Sequence, residues 1–399
     1  LIQRIVIFLF ALQLATSVAS ANDHNKDISF TFFGDTINTR LTDWELTDFT
    51  APLSQSSIRD FYNSVNEKNY QPLINSLLAC KEKNQLNDWL YYQLIRRMAQ
   101  QLSPKGENYN RYTLYKWFLL NKSGYDATLA IRKDLLLFYV QSDDNIYDIP
   151  YYMKNGKHYV CLNYHDFKTI DFGASEPNGV NVLIPEGKKA FSYKITHMPD
   201  FTEADYAEKD IQFDYKNKGY QFKIKVNSQV QSLFANYPVV DYESYFNIPL
   251  SKETYNSLIP ELKNTLKDMN QRKGVDYLMR FTRNAFPYEN DQENFGKEKR
   301  LSPEQTLLTK YSDCDDRAAL FFCLVKEIYN LPMIVLLYPQ HVTIAVRFDK
   351  PTGHSIMYKN KEYAVCEPTP QLQDLAIGEL SPKLQNVPYQ IAYAYDPGN

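Results

Sequence analysis

The sequence predicts an α+β chain divided among two or three domains. Its 399 residues exceed what one hydrophobic core ordinarily serves. Helix-spaced and strand-alternating text occupy separate stretches. Finally, 32 Tyr and 23 Phe against only 13 Gly suit compact domains with half-buried strands rather than a disordered polymer. A formal net charge of -3 provides no global field that would gather nucleic acid or an anionic membrane, so neither is expected as a partner.

Residues 1–21 read as an export signal: Arg4 is followed by the apolar run Ile5 to Leu12, and Ala19-Ser20-Ala21 forms a small-residue cleavage pattern before Asn22. Gln13 and Thr16 interrupt the apolar text, which favours a cleaved signal over an anchor helix. The mature chain is therefore expected outside the cytoplasm, periplasmic or extracellular, with no membrane span.

Residues 22–165 predict an N-terminal α+β domain. Ile28, Phe30 and Phe32 alternate as in strands; Leu73, Leu77 and Leu78, then Trp89 to Leu102, have helical spacing. Pro104-Lys105-Gly106 breaks the pattern before a helix around Tyr112 to Leu120, and strand-like text runs from Leu129 to Leu162. Residues 166–250 carry short apolar runs, Val180 to Ile184, Phe191 to Ile195 and Tyr220 to Val226, separated by Gly, Pro, Asn and Asp. They predict a β-rich, sandwich-like domain. Helical text returns at Lys252 to Met269 and Asp276 to Ala285, opening a third domain over 251–399.

A faint internal repeat links the first and last of these. Setting Arg111 against Arg317 also brings Leu114 onto Leu320, Val140 onto Val346, Val160 onto Val365 and Cys161 onto Cys366. Both copies would read helix, strand, strand.

The segment Tyr311-Ser312-Asp313-Cys314-Asp315-Asp316-Arg317 holds the strongest chemical signal. Acids around a cysteine precede an apolar run, Ala318 to Val325, and acids favour a helix N-terminus, so Cys314 is placed at the start of a buried helix. There, backbone N–H groups stabilise a thiolate and the Cys314 amide can donate to an oxyanion. Asp313, Asp315 and Asp316 oppose the thiolate by like charge, so activation needs an imidazolium or a bound cation. Downstream, His341 opens an alternating strand and points away from the face of Val342, Ile344, Val346 and Phe348. The following strand, Glu362 to Glu367, ends in an acid. Glu367 is either a solvated strand-end carboxylate or the group that holds the imidazole tautomer.

The order of Cys at a buried helix start, His beginning a strand, and acid-Pro-Thr at Glu367 to Thr369, with a Pro-Glu-Gln-Thr lead-in at Pro303 to Thr306, resembles the transglutaminase-like superfamily over residues 270–375. That resemblance implies a papain-like core in the last domain, with Cys314 as nucleophile, His341 as general base and Glu367, where Asp is usual, as the third member. It implies a cysteine peptidase or amidase acting on a peptide or protein through an acyl-thioester. The run around Cys314 is similar to that of bacterial transglutaminase-like cysteine proteinases, which implies no required cofactor and an optional calcium at Asp313 and Asp315. Under the repeat, the first domain would be a degenerate copy with Asn108, Leu135 and Leu162 facing the triad, and so empty. A silent peptide-binding scaffold and a cross-linking transglutaminase are the alternatives. Cys80, Cys161, Cys323 and Cys366 fit packing roles, and His158, His165, His197 and His354 show no metal-ligand spacing.

Overall fold

The computed structural model describes residues 25–42, 44–167, 178–289, 299–350 and 353–398; the expected export signal lies outside them. The alternation at the N-terminus forms an antiparallel hairpin, β1 (Lys26–Phe32) and β2 (Asp35–Leu41), with Ile28 and Phe32 facing inward. The helix-spaced text becomes α1 (Gln55–Asn66), α2 (Gln71–Lys83), α3 (Asp88–Leu102) and α4 (Tyr109–Lys122). Ser54, Asn87 and Asn108 cap α1, α3 and α4 by accepting backbone N–H bonds. Short strands follow: β3 (Ala127–Arg132), β4 (Leu135–Gln141), β5 (Ile146–Tyr147), β6 (Tyr151–Lys154), β7 (Lys157–Cys161) and β8 (Asn178–Gly179).

The remainder passes through a second hairpin, β9 (Tyr206–Tyr215) and β10 (Lys218–Asn227), then α5 (Gln229–Leu233), β11 (Val239–Val240), α6 (Tyr242–Phe246), α7 (Lys252–Leu266) and α8 (Gln271–Asn284). It ends with α9 (Pro303–Leu308), α10 (Cys314–Tyr329), β12 (Met333–Tyr338), β13 (His341–Val346), β14 (Ser355–Tyr358), β15 (Lys361–Cys366) and β16 (Gln390–Tyr395). Helices and antiparallel sheets are both present, as an α+β chain requires.

Among the described residues the strands make two five-stranded sheets, ordered β6-β7-β4-β3-β8 and β14-β15-β13-β12-β16. Each follows a long helix, α4 or α10, and each is preceded by a hairpin packed on two helices, β1–β2 on α2 and α3, β9–β10 on α7 and α8. The turns agree as well: Asn155 and Gly156 join β6 to β7, and Lys359 and Asn360 join β14 to β15, all at positive φ. Two consecutive positive-φ residues match the twist of the strands they connect. The two sheets share one strand order, and Leu135 and His341 both open the second strand of theirs.

The middle segment divides differently from the sandwich expected over 166–250. β8 joins the first sheet, so that sheet crosses the expected boundary at 165. Val180 to Ile184 and Phe191 to Ile195 form no ladder; they alternate because Val180, Ile184, Phe191, Tyr193 and Ile195 pack inward from extended backbone. Tyr220 to Val226 does pair, within the long β9–β10 hairpin against α7 and α8. Apolar alternation alone cannot distinguish a paired strand from a covering strap.

Helix α8 lies close against the end of α10. A Cβ at Gly274 would meet the Tyr329 hydroxyl at 1.6 Å, so a larger residue there would push the helices apart. Among the described residues no helix is long and apolar enough to cross a membrane.

Candidate active site

Helix α10 begins at Cys314 because Asp313 closes its first turn. The Asp313 carboxylate accepts the N–H groups of Asp315 and Asp316, while Asp316 accepts the Asp313 N–H in return. This reciprocal cap satisfies donors that otherwise lack partners, and such caps are worth about 1 kcal/mol. Asp316 is fully buried and also takes the Leu301 N–H at 2.8 Å. The run Ala318 to Val325 packs into the main core as expected.

On the sheet, β12 and β13 pair so that Tyr338 stands opposite His341, and the intervening Pro339-Gln340 turn sets the imidazole on the rim. Val342, Ile344 and Val346 face α10 in the main core. The opposite face, which His341 shares, is not open: Leu380, Leu384 and Val387 pack against Ile334, Leu336 and Ala345, with Ile391 beside them on β16. This roof leaves a cavity of about 410 Å³ at the rim, lined by Tyr338, Gln340, His341, Gln371, Lys383 and Leu384 among others.

His341 Nε2 lies 2.7 Å from Glu367 Oε2. Glu367 is not a solvated strand-end acid. It is buried, and its second oxygen accepts the Thr369 N–H at 2.9 Å. Its backbone carbonyl is gripped by the buried Arg283 of α8, which also bonds Asp374 and the Leu375 carbonyl. One turn into α10, buried Arg317 donates to the carbonyls of Thr282, Arg283 and Phe286, satisfying the C-terminal end of α8. Two arginines thus tie the strand end that carries Glu367 to the helix that carries Cys314.

The Cys314 thiol is half-buried, whereas Cys80, Cys161, Cys323 and Cys366 are buried. Its sulfur receives the Val342 N–H, which places it beside the start of β13, and its own hydrogen bond runs to Asp315 Oδ1 at 3.5 Å. Burial, followed by the charges of Asp315 and Asp313, pushes the thiol well above its ordinary range. Burial opposes protonation of His341, but the Glu367 hydrogen bond and charge, with Asp315 and Asp313 behind them, lift the imidazole above its ordinary value. The acids therefore favour one half of a thiolate–imidazolium pair and oppose the other. Arg300 partly offsets them, lying 3.3 Å from Asp315.

Asp313 is occupied as a helix cap and Asp315 by Arg300 and the thiol, an arrangement that does not fit the six to eight oxygens calcium takes. Among the described residues no group of three or more His, Cys, Asp or Glu side chains converges as a metal site. The Pro303 to Thr306 lead-in forms α9 and braces the fold, since buried Glu304 accepts the Ser251 N–H, the Ser251 hydroxyl and the Thr254 hydroxyl at the start of α7.

The structure also corrects one position of the repeat. Asn108 caps α4 as Asp313 caps α10, so Tyr109 rather than Asn108 takes the place of Cys314. The Tyr109 hydroxyl is held between Asn163 Nδ2 at 2.8 Å and Asp166 Oδ2 at 2.9 Å. Leu135 and Leu162 stand where expected, each at the strand end matching His341 or Glu367.

Arg283 and Arg300 were not signalled by the sequence, and Arg317 and Thr369 appeared there only as a repeat match and as the end of the acid-Pro-Thr run, without these roles. The arginines act on backbone carbonyls and a carboxylate of distant segments, and no spacing rule encodes such contacts. Compared with known proteins, no family model, no curated protein and no solved structure matches this chain.

Proposed function

We propose that the chain is a cysteine hydrolase that cleaves a peptide or amide bond at Cys314. The single observation that carries this reading is the buried Glu367 held 2.7 Å from His341, whose strand neighbour Val342 approaches the half-buried Cys314 thiol at a helix start. With Nε2–H donated to Glu367, Nδ1 is the nitrogen left to accept the thiol proton. The thiolate then attacks the substrate carbonyl while the Cys314 amide donates to the oxyanion. The imidazolium returns its proton to the departing amine, leaving an acyl-thioester. Water, deprotonated by His341, attacks that thioester; the acid departs and the thiol is restored. An acceptor amine in place of water would give cross-linking. The reading includes export of the mature chain and a peptide or protein substrate, and routes no step through a metal.

Iodoacetamide provides the test. The other cysteines are buried, so stoichiometric labelling near neutral pH is expected at Cys314 alone and is expected to slow sharply in His341→Ala. Slow labelling that is indifferent to His341 would reject the hydrolase. That result would favour a second reading, a peptide-binding scaffold without turnover, which draws on the raised thiol pKa.

A further inference from the structure

Where the half of the molecule that lacks the triad meets α5 lies a second cavity, about 470 Å³, between α3, the tip of the β1–β2 hairpin and α5. That volume lies within the range of small-molecule sites. One wall is apolar, made by Phe32, Phe33 and Leu233; the other presents Arg96, Arg97 and Lys105.

The arginines distinguish this place from its counterpart in the other half. α8 packs on β9 as α3 packs on β1, and of its three arginines Arg280 and Arg283 have their charges answered internally. Arg280 pairs with Asp276 and Asp374, and Arg283 with Asp374. On α3, neither Arg96 nor Arg97 has an ion-pair partner among the described residues. Arg96 donates to Gln93 Oε1 at 2.8 Å and bonds the Tyr112 side chain. These contacts fix its fork without neutralising it. Because Oε1 of Gln93 is used this way, its buried Nε2 is left with no partner, in a residue that lines the cavity. Lys105 is neutralised by Asp166 at 2.6 Å. Asp205, on the opposing rim, is turned to cap Thr202 through its N–H and hydroxyl.

We infer that this cavity is a binding site for a small organic anion, a phosphate or carboxylate carried on a flat apolar group. The anion would take the paired guanidinium groups and the apolar group would lie against Phe32, Phe33 and Leu233. Planar guanidinium forks match both kinds of anion through paired N–H donors. The site is separate from Cys314 and does not depend on its chemistry.

Calorimetric titration of the whole chain with phenyl phosphate and with benzoate tests this, using benzyl alcohol as the neutral control. At least one anion is expected to bind, to bind more weakly as salt rises, and to outcompete benzyl alcohol by at least about tenfold. Arg97 is exposed, so Arg97→Gln is expected to fold, as its melting curve would verify, and to lose several-fold in affinity. Arg96→Gln with Arg97→Gln is expected to lose about tenfold or more, while Cys314→Ala binds like the parent. Binding of neither anion, equal binding of benzyl alcohol, or affinity unchanged in a folded Arg97→Gln chain would overturn the assignment.

Discussion

Helix α4 with its sheet and helix α10 with its sheet run through the same order of strands, yet their rims differ at the positions where chemistry is expected. The second half presents Cys314, His341 and Glu367; the first presents Tyr109, Leu135 and Leu162. Both caps survive, Asn108 and Asp313, and so do the hairpin turns. What the frame needs in order to fold is retained in both halves, and what a nucleophile needs is present in one. The arginines reverse the pattern. Arg280 and Arg283 of α8 are consumed in binding Glu367 and Asp374, whereas Arg96 and Arg97 of α3 remain free of ion pairs among the described residues and border a cavity. Similar frames thus support an internal brace in one half and a candidate ligand site in the other.

The largest expected effect separates the halves directly. Cys314→Ala or His341→Ala should lower kcat/KM for a peptide substrate by about 10³-fold or more, while Tyr109→Phe in the first half leaves it within about twofold. A comparable loss from Tyr109→Phe would show that the first half takes part in turnover.

Glu367→Gln should cost about 10²-fold in kcat, because the imidazole loses the carboxylate that orients it and stabilises its protonated form. The same change should move the acid limb of the pH–rate profile downward. His341 must be neutral to accept the thiol proton, and Glu367 raises its pKa, so the parent limb should lie above the ordinary value of 6.5. Since the folded pKa is raised, the stability this pair contributes is fully present below the unfolded value and is lost as pH rises through the folded one. Melting curves of parent and Glu367→Gln against pH would expose that loss in the parent alone.

Asp315→Asn is a milder probe of the conflict among the acids. Removing its charge should lower the pKa of both Cys314 and His341, speed alkylation of the thiol by several-fold near neutral pH and shift the acid limb down. Alkylation that slows instead would show that the Asp315–Arg300 pair positions the thiol more than it opposes it.

The smallest effect on activity belongs to the first half. Lys116 is almost wholly buried beside the rings of Tyr112 and Phe138, and burial lowers its pKa to about 7. Lys116→Met should leave turnover unchanged and raise stability by roughly 1–3 kcal/mol below neutral pH, where the parent must bury a charge. Chemical denaturation at two pH values would measure both the sign and its pH dependence.

Much of this frame was legible in the text of the chain. Helical spacing located α2, α3, α4, α7 and α8, and the acids before Ala318 located the start of α10, because periodicity and capping are local properties. A few apolar matches set Leu135 against His341, and both open the second strand of their sheets. Among the described residues of 166–250, Phe191 to Ile195 alternates as a strand would yet runs as an extended strap outside any ladder. Nor could text alone distinguish Asn108 from Tyr109 as the counterpart of Cys314, a one-residue difference decided by where the cap falls.

By itself, then, the sequence determined the helix that begins at Cys314, the strand that begins at His341, and the acid that ends the next strand. Only the tertiary structure decided that Glu367 is buried and turned onto His341 rather than solvated. The physical reason is that its placement depends on Thr369, Arg283 and Arg317, whose hydrogen bonds reach across α8, α10 and β15. Local pattern fixes periodicity and caps; it carries no record of which distant carbonyl a buried arginine will hold.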